Sequence, residues 1–278
     1  MRRRKARAGQ SLVCAALLAL PLTSHAVEAI KVCLLAHNRP YSEQASGLGL
    51  DVDTARAVAN SLGRTFEPVW ISNAAKISEI DDNDFPVRKL AKGQCDAIFS
   101  VPGPARDSLR ETSGLSLGAP YYGAAFELYG RTGETRRHLR ELRDLPIANQ
   151  AATVGAFALR LVGAKSRTFF APVEGLKAVA DGEAALALLW GPTAGAALQA
   201  GGISDVTPVG GYEPPAALSW NEHVATRESD TTLRTDIDSA LAALAGDGTL
   251  ARIAVTHGVP WRPPFAKTYS LGEMNGLR

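Results

Sequence analysis

Apolar residues recur along this chain in short blocks whose period switches between that of a strand and that of a helix. Ile30 to Ala36 is an apolar run of strand length, ending in the polar loop His37-Asn38-Arg39-Pro40-Tyr41. Val52, Ala55, Ala59 and Leu62 then fall on one helical face, and Gly63 closes that helix. Phe66 to Ile71 predicts a second strand, Phe85 to Lys92 a short helix stopped by Gly93, and Cys95 to Val101 a third strand. The third is apolar almost throughout, as a strand buried on both faces should be. Strand, helix, strand, helix, strand predicts a doubly wound, mostly parallel sheet, with ligand beyond the carboxyl ends of the strands.

The pattern then repeats. After Pro120-Tyr121-Tyr122 the chain runs extended through Phe126 to Tyr129, and the charged stretch from Arg131 to Asp144 opens a second α/β unit. Its expected elements are strand Pro146 to Ala148, helix Ala151 to Leu161, strand Thr168 to Phe170, helix Gly175 to Asp181, strand Ala185 to Trp190 and helix Thr193 to Ala200. A second extended crossing follows at Leu218-Ser219-Trp220. Two last helices carry apolar faces of Leu233, Ile237, Leu241 and Leu244, and of Leu250, Ile253, Ala254 and His257, with Asp230 as the N-cap of the first. They do not fit the second unit's sheet order, so that unit is an insertion. The expected fold class is α/β with two lobes. Residues 27–124 and 221–278 form lobe 1 and residues 125–220 form lobe 2, joined by two crossovers that act as a hinge. A ligand cleft between them, closing about the hinge, is the natural consequence.

The N-terminus changes where this happens. Arg2, Arg3, Arg4, Lys5 and Arg7 precede the apolar run Leu12 to Leu22, and Ser24-His25-Ala26 has the small-x-small form of a cleavage site. Residues 1–26 therefore read as a secretory signal peptide, too short for a membrane span, rather than as a buried helix or an anchor. The mature protein is expected in the periplasm, with no membrane span and no nucleic-acid partner. Of the chain's 30 basic and 28 acidic residues, 5 basic ones leave with the signal, giving a formal charge of −3. Cys14 leaves as well, and Cys33 and Cys95 remain. In an oxidising compartment, on strands expected to be neighbours, this pair favours a disulfide over two buried thiols.

Several local patterns are more specific. They are Gly49-Leu50-Asp51 opening a helix that ends at Leu62-Gly63, then Gly93-x-Cys95-Asp96-Ala97, then Pro120-Tyr121-Tyr122. Together they resemble the type II, family 3 periplasmic solute-binding proteins from about Ile30 to Trp261. Four patches narrow the resemblance to the branch that accompanies quinoprotein dehydrogenases, of MoxJ and XoxJ type, with the XoxJ type the nearer. These are Cys33 with Asn38-Arg39-Pro40-Tyr41, Gly93-Gln94-Cys95-Asp96 with Val101-Pro102-Gly103, Trp190-Gly191-Pro192-x-Ala194-Gly195, and His257-Gly258-Val259-Pro260. The resemblance implies a non-enzymatic accessory protein with no cofactor of its own. Its implied partner is a periplasmic methanol dehydrogenase that depends on PQQ and calcium or a lanthanide, with the enzyme's cytochrome as a further candidate.

The sequence departs from amino-acid-binding relatives in two places. Their Thr-x-x-Arg, whose Arg pairs with a ligand carboxylate, is replaced by Pro104-Ala105-Arg106-Asp107, and their second-lobe Asp by Leu189-Trp190-Gly191. A zwitterion loses both partners, so the cleft is expected to be aromatic and uncharged. Its expected lining is Asn38, Arg39, Tyr41, Trp70, Val101, Pro102, Tyr121, Tyr122, Trp190, Thr193 and Trp220, with ordinary core packing as the competing reading of the aromatics. The chain contains no Gly-x-Ser-x-Gly, His-Glu-x-x-His or phosphate loop. His37 and Glu222 are the two groups at the cleft mouth that a dehydratase-like enzyme on this fold would need, and both read as hydrogen-bonded loop residues. Glu79, Asp81, Asp82 and Asp84 lack the spacing of a calcium loop and read as solvated. The competing function is the substrate-binding subunit of an ABC importer for a small non-zwitterionic solute, which would bring in a permease.

Overall fold

The computed structural model describes residues 28–73, 85–103 and 114–277. The expected signal peptide, the acidic cluster from Glu79 to Asp84 and the segment from Pro104 to Asp107 lie outside them. The first unit opens with β1 (Ala29–Leu35), α1 (Leu50–Ser61), β2 (Thr65–Ile71), α2 (Pro86–Ala91), β3 (Ile98–Gly103) and β4 (Leu115–Leu117). Then come β5 (Tyr122–Arg131), β6 (Pro146–Gln150), α3 (Val154–Leu161), β7 (Lys165–Phe169), α4 (Pro172–Ala180), β8 (Leu186–Trp190), α5 (Gly191–Ala200) and β9 (Val206–Pro208). The chain finishes with β10 (Ser219–Arg227), α6 (Thr231–Gly246), α7 (Thr249–Thr256) and α8 (Leu271–Asn275). No described helix is long and apolar enough to cross a membrane.

The sheets are mixed. β1 and β2 pair in parallel, as do β6 with β7 and β6 with β8. The long strands β5 and β10 pair antiparallel with each other and tie both units into one eight-stranded order, β3-β10-β5-β8-β6-β7, with β4 and β9 alongside. Parallel contact between β1 and the segment before β3 shrinks to one bridge, Val32 with Ala97. Cys95 sits just before that bridge and forms the expected disulfide with Cys33.

Burial explains why these segments fold as they do. Val52, Ala55 and Ala59 on α1 pack against Ile30, Val32 and Leu34 of β1, together with Ile237, Leu241, Leu250 and Ala254 from α6 and α7. In the second unit β8 is covered on both faces. Leu186 and Leu188 join the core under α3, while Ala187 and Leu189 join the one under α4 and α5. β7 is an edge strand exposed along most of its length, which is why its start was not visible as an apolar run. The chain's last segment returns to the second unit, where Met274 of α8 packs with Phe126, Leu128 and Ile147.

Two local expectations need correcting. α3 starts at Val154 rather than Ala151, because Ala152 takes φ 56° and Thr153 caps the helix, its Oγ1 accepting from Ala156 N at 3.3 Å. Asp230 does sit before α6, but its side chain makes no cap bond and pairs instead with Arg227 at 2.6 Å.

Candidate ligand-binding cleft

The site begins with a close approach of two backbones. Gly49 has φ 148°, and a Cβ placed there would lie 2.3 Å from the Tyr41 carbonyl oxygen. Glycine therefore lets the loop lie across the start of α1, where Leu50 N donates to Pro40 O at 2.8 Å and Asp51 N to Tyr41 O at 2.9 Å. This fixes Tyr41 and Asp51 side by side. Asp51 Oδ1 accepts from Ser100 Oγ at 2.5 Å. Ser100 takes φ 49°, an unfavourable region for serine, and its backbone N donates to the Tyr121 hydroxyl at 3.1 Å.

The other wall is built by small residues. A Cβ on Gly195 of α5 would lie 2.2 Å from the Gly258 carbonyl oxygen, so Gly195 lets α5 press against the segment after α7. This packing sets Trp190 at the α5 entrance, its ring edge-on to Phe126 at 5.5 Å and to Trp220 at 5.6 Å. Trp190 Nε1 donates to the Tyr41 hydroxyl at 3.0 Å, a hydrogen bond that joins the two units.

Trp190 separates two cavities at the carboxyl ends of β1, β3, β6 and β8, where such folds bind ligands. The first, of about 490 Å³, has apolar walls including Leu34, Phe99 and Val101, with Asn38, Tyr41, Ser42, Asp51, Ser100 and Glu222 as its polar groups. The second, of about 550 Å³, is lined by Gln150, Thr153, Thr193 and alanines of α5, with Arg39 at its edge. Arg39 is engaged there by Glu43 at 2.9 Å. A smaller hollow of about 350 Å³ lies away from these strand ends, among the ion pairs of Arg64, Asp96 and Arg227.

The electrostatics of the first cavity are unusual. Burial pushes the Asp51 carboxyl up to about 7, with the Ser100 hydroxyl opposing the shift. Glu222 on β10 is 2% exposed. Burial, then the nearby Asp51 charge, raises its carboxyl well above the usual range. Among the described residues Glu222 Oε2 has no hydrogen-bond partner. Burial likewise holds the Tyr41 hydroxyl protonated. Among the described residues no group of three or more His, Cys, Asp or Glu side chains is placed to hold a metal ion.

No family model matches the sequence, and no curated protein matches it. Solved structures do match. MxaJ from Methlophaga aminisulfidivorans MPT is 21% identical with a TM-score of 0.63, over 84% of this chain and 100% of that one. The L-cystine solute receptor of Neisseria gonorrhoeae, in an unliganded open conformation, is 16% identical with a TM-score of 0.66, over 84% and 94% of the two chains. An ancestral cationic amino acid solute binding protein is 20% identical with a TM-score of 0.61, over 82% and 94%. This chain has the two-lobed periplasmic binding protein fold.

Within that fold the anticipated cleft residues separate. Asn38, Tyr41, Val101, Pro102 and Trp190 line the first cavity, while Arg39, Trp190 and Thr193 line the second. The remaining aromatics line neither. Trp70 pairs with Leu34 in the β1–β2 ladder and packs on the first core. Tyr121 lies behind Ser100, Tyr122 stacks on Trp261 at 5.6 Å, and Trp220 stacks on Tyr269 at 5.1 Å. Ordinary packing is the better account of these four. His37 is exposed and hydrogen-bonded to Glu43 at 3.1 Å as expected, but it lies in a two-residue strand paired with Ser42-Glu43 rather than in a loop. Glu222 is not in a loop either. It sits on a buried strand and lines the cavity, so the cleft holds two titratable carboxyls, Glu222 and Asp51, beside its aromatic groups. Asp51 was missed because its sequence context reads as a helix start. Glu222 was expected at the cleft mouth and does line the cavity; the signal for its burial was a carboxylate in mid-strand between Trp220 and Val224.

Proposed function

We propose that this chain is an exported accessory protein of a periplasmic quinoprotein methanol dehydrogenase, of the XoxJ type. It holds the enzyme, or a segment of it, in the cleft and assists its maturation or activation. The observation that carries the reading is that the four patches behind the resemblance meet in space. The first two are joined by the bond between Cys33 and Cys95. The last two meet where Gly195 faces Gly258, and Trp190 then hydrogen-bonds Tyr41 of the first patch. The likeness to MxaJ over that protein's whole length supports the same reading. We place lobe 1 in residues 27–124 and 221–278, lobe 2 in residues 125–220, and the cleaved signal in residues 1–26; the last helix of lobe 1, α8, packs back on lobe 2. Aromatic Trp190 between two apolar-walled chambers suits a side chain projecting from a bound segment, where a few buried contacts supply most of the affinity.

Deletion of the gene in its native host tests this. Methanol dehydrogenase activity should fall and cofactor-poor enzyme should accumulate, with both restored by a plasmid copy. Normal activity with fully loaded cofactor would remove the accessory role.

A further inference from the structure

We propose that the cavity at Glu222 is a binding site for a primary ammonium group carried on an alkyl chain. The proposal rests on the cleft being the place of binding, and it does not depend on which enzyme is the partner.

Three observations point there together. The first is an unsatisfied acceptor. Glu222 is 2% exposed, lines the cavity, and leaves Oε2 without a hydrogen bond among the described residues. A buried carboxyl oxygen without a donor is costly, and a ligand that supplies the donor recovers that cost. The second is the sign of the charge. Asp51 and Glu222 both line the cavity, and none of the described residues lining it is Lys, Arg or His. A ligand carboxylate would meet two like groups and no partner among the described residues. A cation would favour ionisation of both. The third is the shape of the remaining surface, which runs from Leu34 and Phe99 to Trp190 and Phe85. These walls suit methylene groups and the face of an indole suits a cation, whereas a hard metal ion needs a fuller cage of oxygens. An ammonium on a short alkyl stem combines the required features. It has three donors for the Glu222, Asp51 and Tyr41 oxygens, a positive charge, and an apolar tail.

Proton release accompanies such binding. The titratable groups around Glu222 are Asp51 on α1, Tyr41 on the preceding loop, and Tyr121 and Tyr122 at the start of β5. Burial raises all of them, so a bound cation displaces protons from the two carboxyls and binds more tightly as the pH rises from 6 to 8.

A free alkylamine and a lysine side chain of a bound protein segment present the same chemistry. Both are tested by calorimetry on the purified mature protein, with n-butylammonium, Nα-acetyl-lysine N-methylamide, 1-butanol and butyrate as probes. At least one of the two ammonium probes should bind saturably, at least about tenfold more tightly than 1-butanol, and butyrate should not bind. Tighter binding of n-butylammonium marks a small free amine as the source. Tighter binding of the lysine derivative marks a protein segment. Glu222→Gln should weaken the better ammonium probe at least about tenfold and leave 1-butanol unchanged. Equal affinity for 1-butanol and the ammonium probes, binding of neither ammonium probe, or full affinity in a folded Glu222→Gln protein would overturn the assignment. If that variant does not fold, the four probes on the unaltered protein decide alone. The dehydrogenase takes no part in this measurement, so its result stands apart from the deletion phenotype.

Discussion

At the scale of single residues, the first cavity carries a stability cost. Glu222 and Asp51 are carboxyls held where their charged forms are disfavoured. In the unfolded chain they ionise in the ordinary carboxylate range, near pH 4. In the folded chain they bind their protons to higher pH, up to about 7 for Asp51. Between those limits the folded state holds more protons than the unfolded one, so the stability these groups contribute is present below pH 4 and lost as the pH rises. A glutamine at 222 keeps the shape and does not titrate. Glu222→Gln should therefore gain stability relative to the unaltered protein as pH rises from 4 to 7. Thermal unfolding across that range checks it, and parallel pH profiles for the two proteins would contradict it. Glu222 was placed at the cleft from sequence, but its burial, like the position of Asp51 in the cavity, was hidden there for a physical reason. A carboxylate that lines a cavity and one that faces solvent look alike until the neighbouring strands are placed.

At the scale of elements, more was legible. Periodicity located β1, α1, β2 and β8 because each buries a defined face, as Val52, Ala55 and Ala59 do on α1. It was weaker for β7, whose exposed edge gives no apolar run, and it gave no sign of α8, a five-residue helix held by tertiary packing of Met274. The glycines of the Trp190 patch were recognisable as a pattern, but their reason, the approach of α5 to Gly258, needed the structure. Pairing of the cysteines followed from compartment and strand adjacency, and it spans a sequence separation of 62. Closing a loop of that length contributes about 3–4 kcal/mol. Reduction should therefore lower the unfolding midpoint in denaturant by a corresponding amount, and the denatured, unreduced mature protein should titrate no free thiol. Two free thiols would contradict the link between β1 and the segment before β3.

At the scale of the whole molecule, the two units are bound by more than the crossovers at β5 and β10. Arg262 holds the buried Glu127 of β5 through two hydrogen bonds of 2.6 and 2.9 Å. Beyond it Tyr269 N donates to Ser219 O, and α8 docks on the second unit's core. The result is a scaffold that presents Trp190 and the Glu222 cavity from a braced hinge. What such a scaffold accepts separates the accessory reading from that of an amino-acid importer, since both share this fold. The amino group of a zwitterion finds carboxyls in the first cavity, but its carboxylate finds no base there among the described residues, and Arg39 beside the second is engaged by Glu43. Amino acids without a side-chain amine, such as glycine, leucine and glutamate, should thus produce no saturable micromolar change in tryptophan fluorescence. Trp190, between the cavities, and Trp220, packed edge-on against it, place the reporter at the site. A micromolar response to any of them would mean that a carboxylate partner operates in the cleft, and would return the protein to the importers.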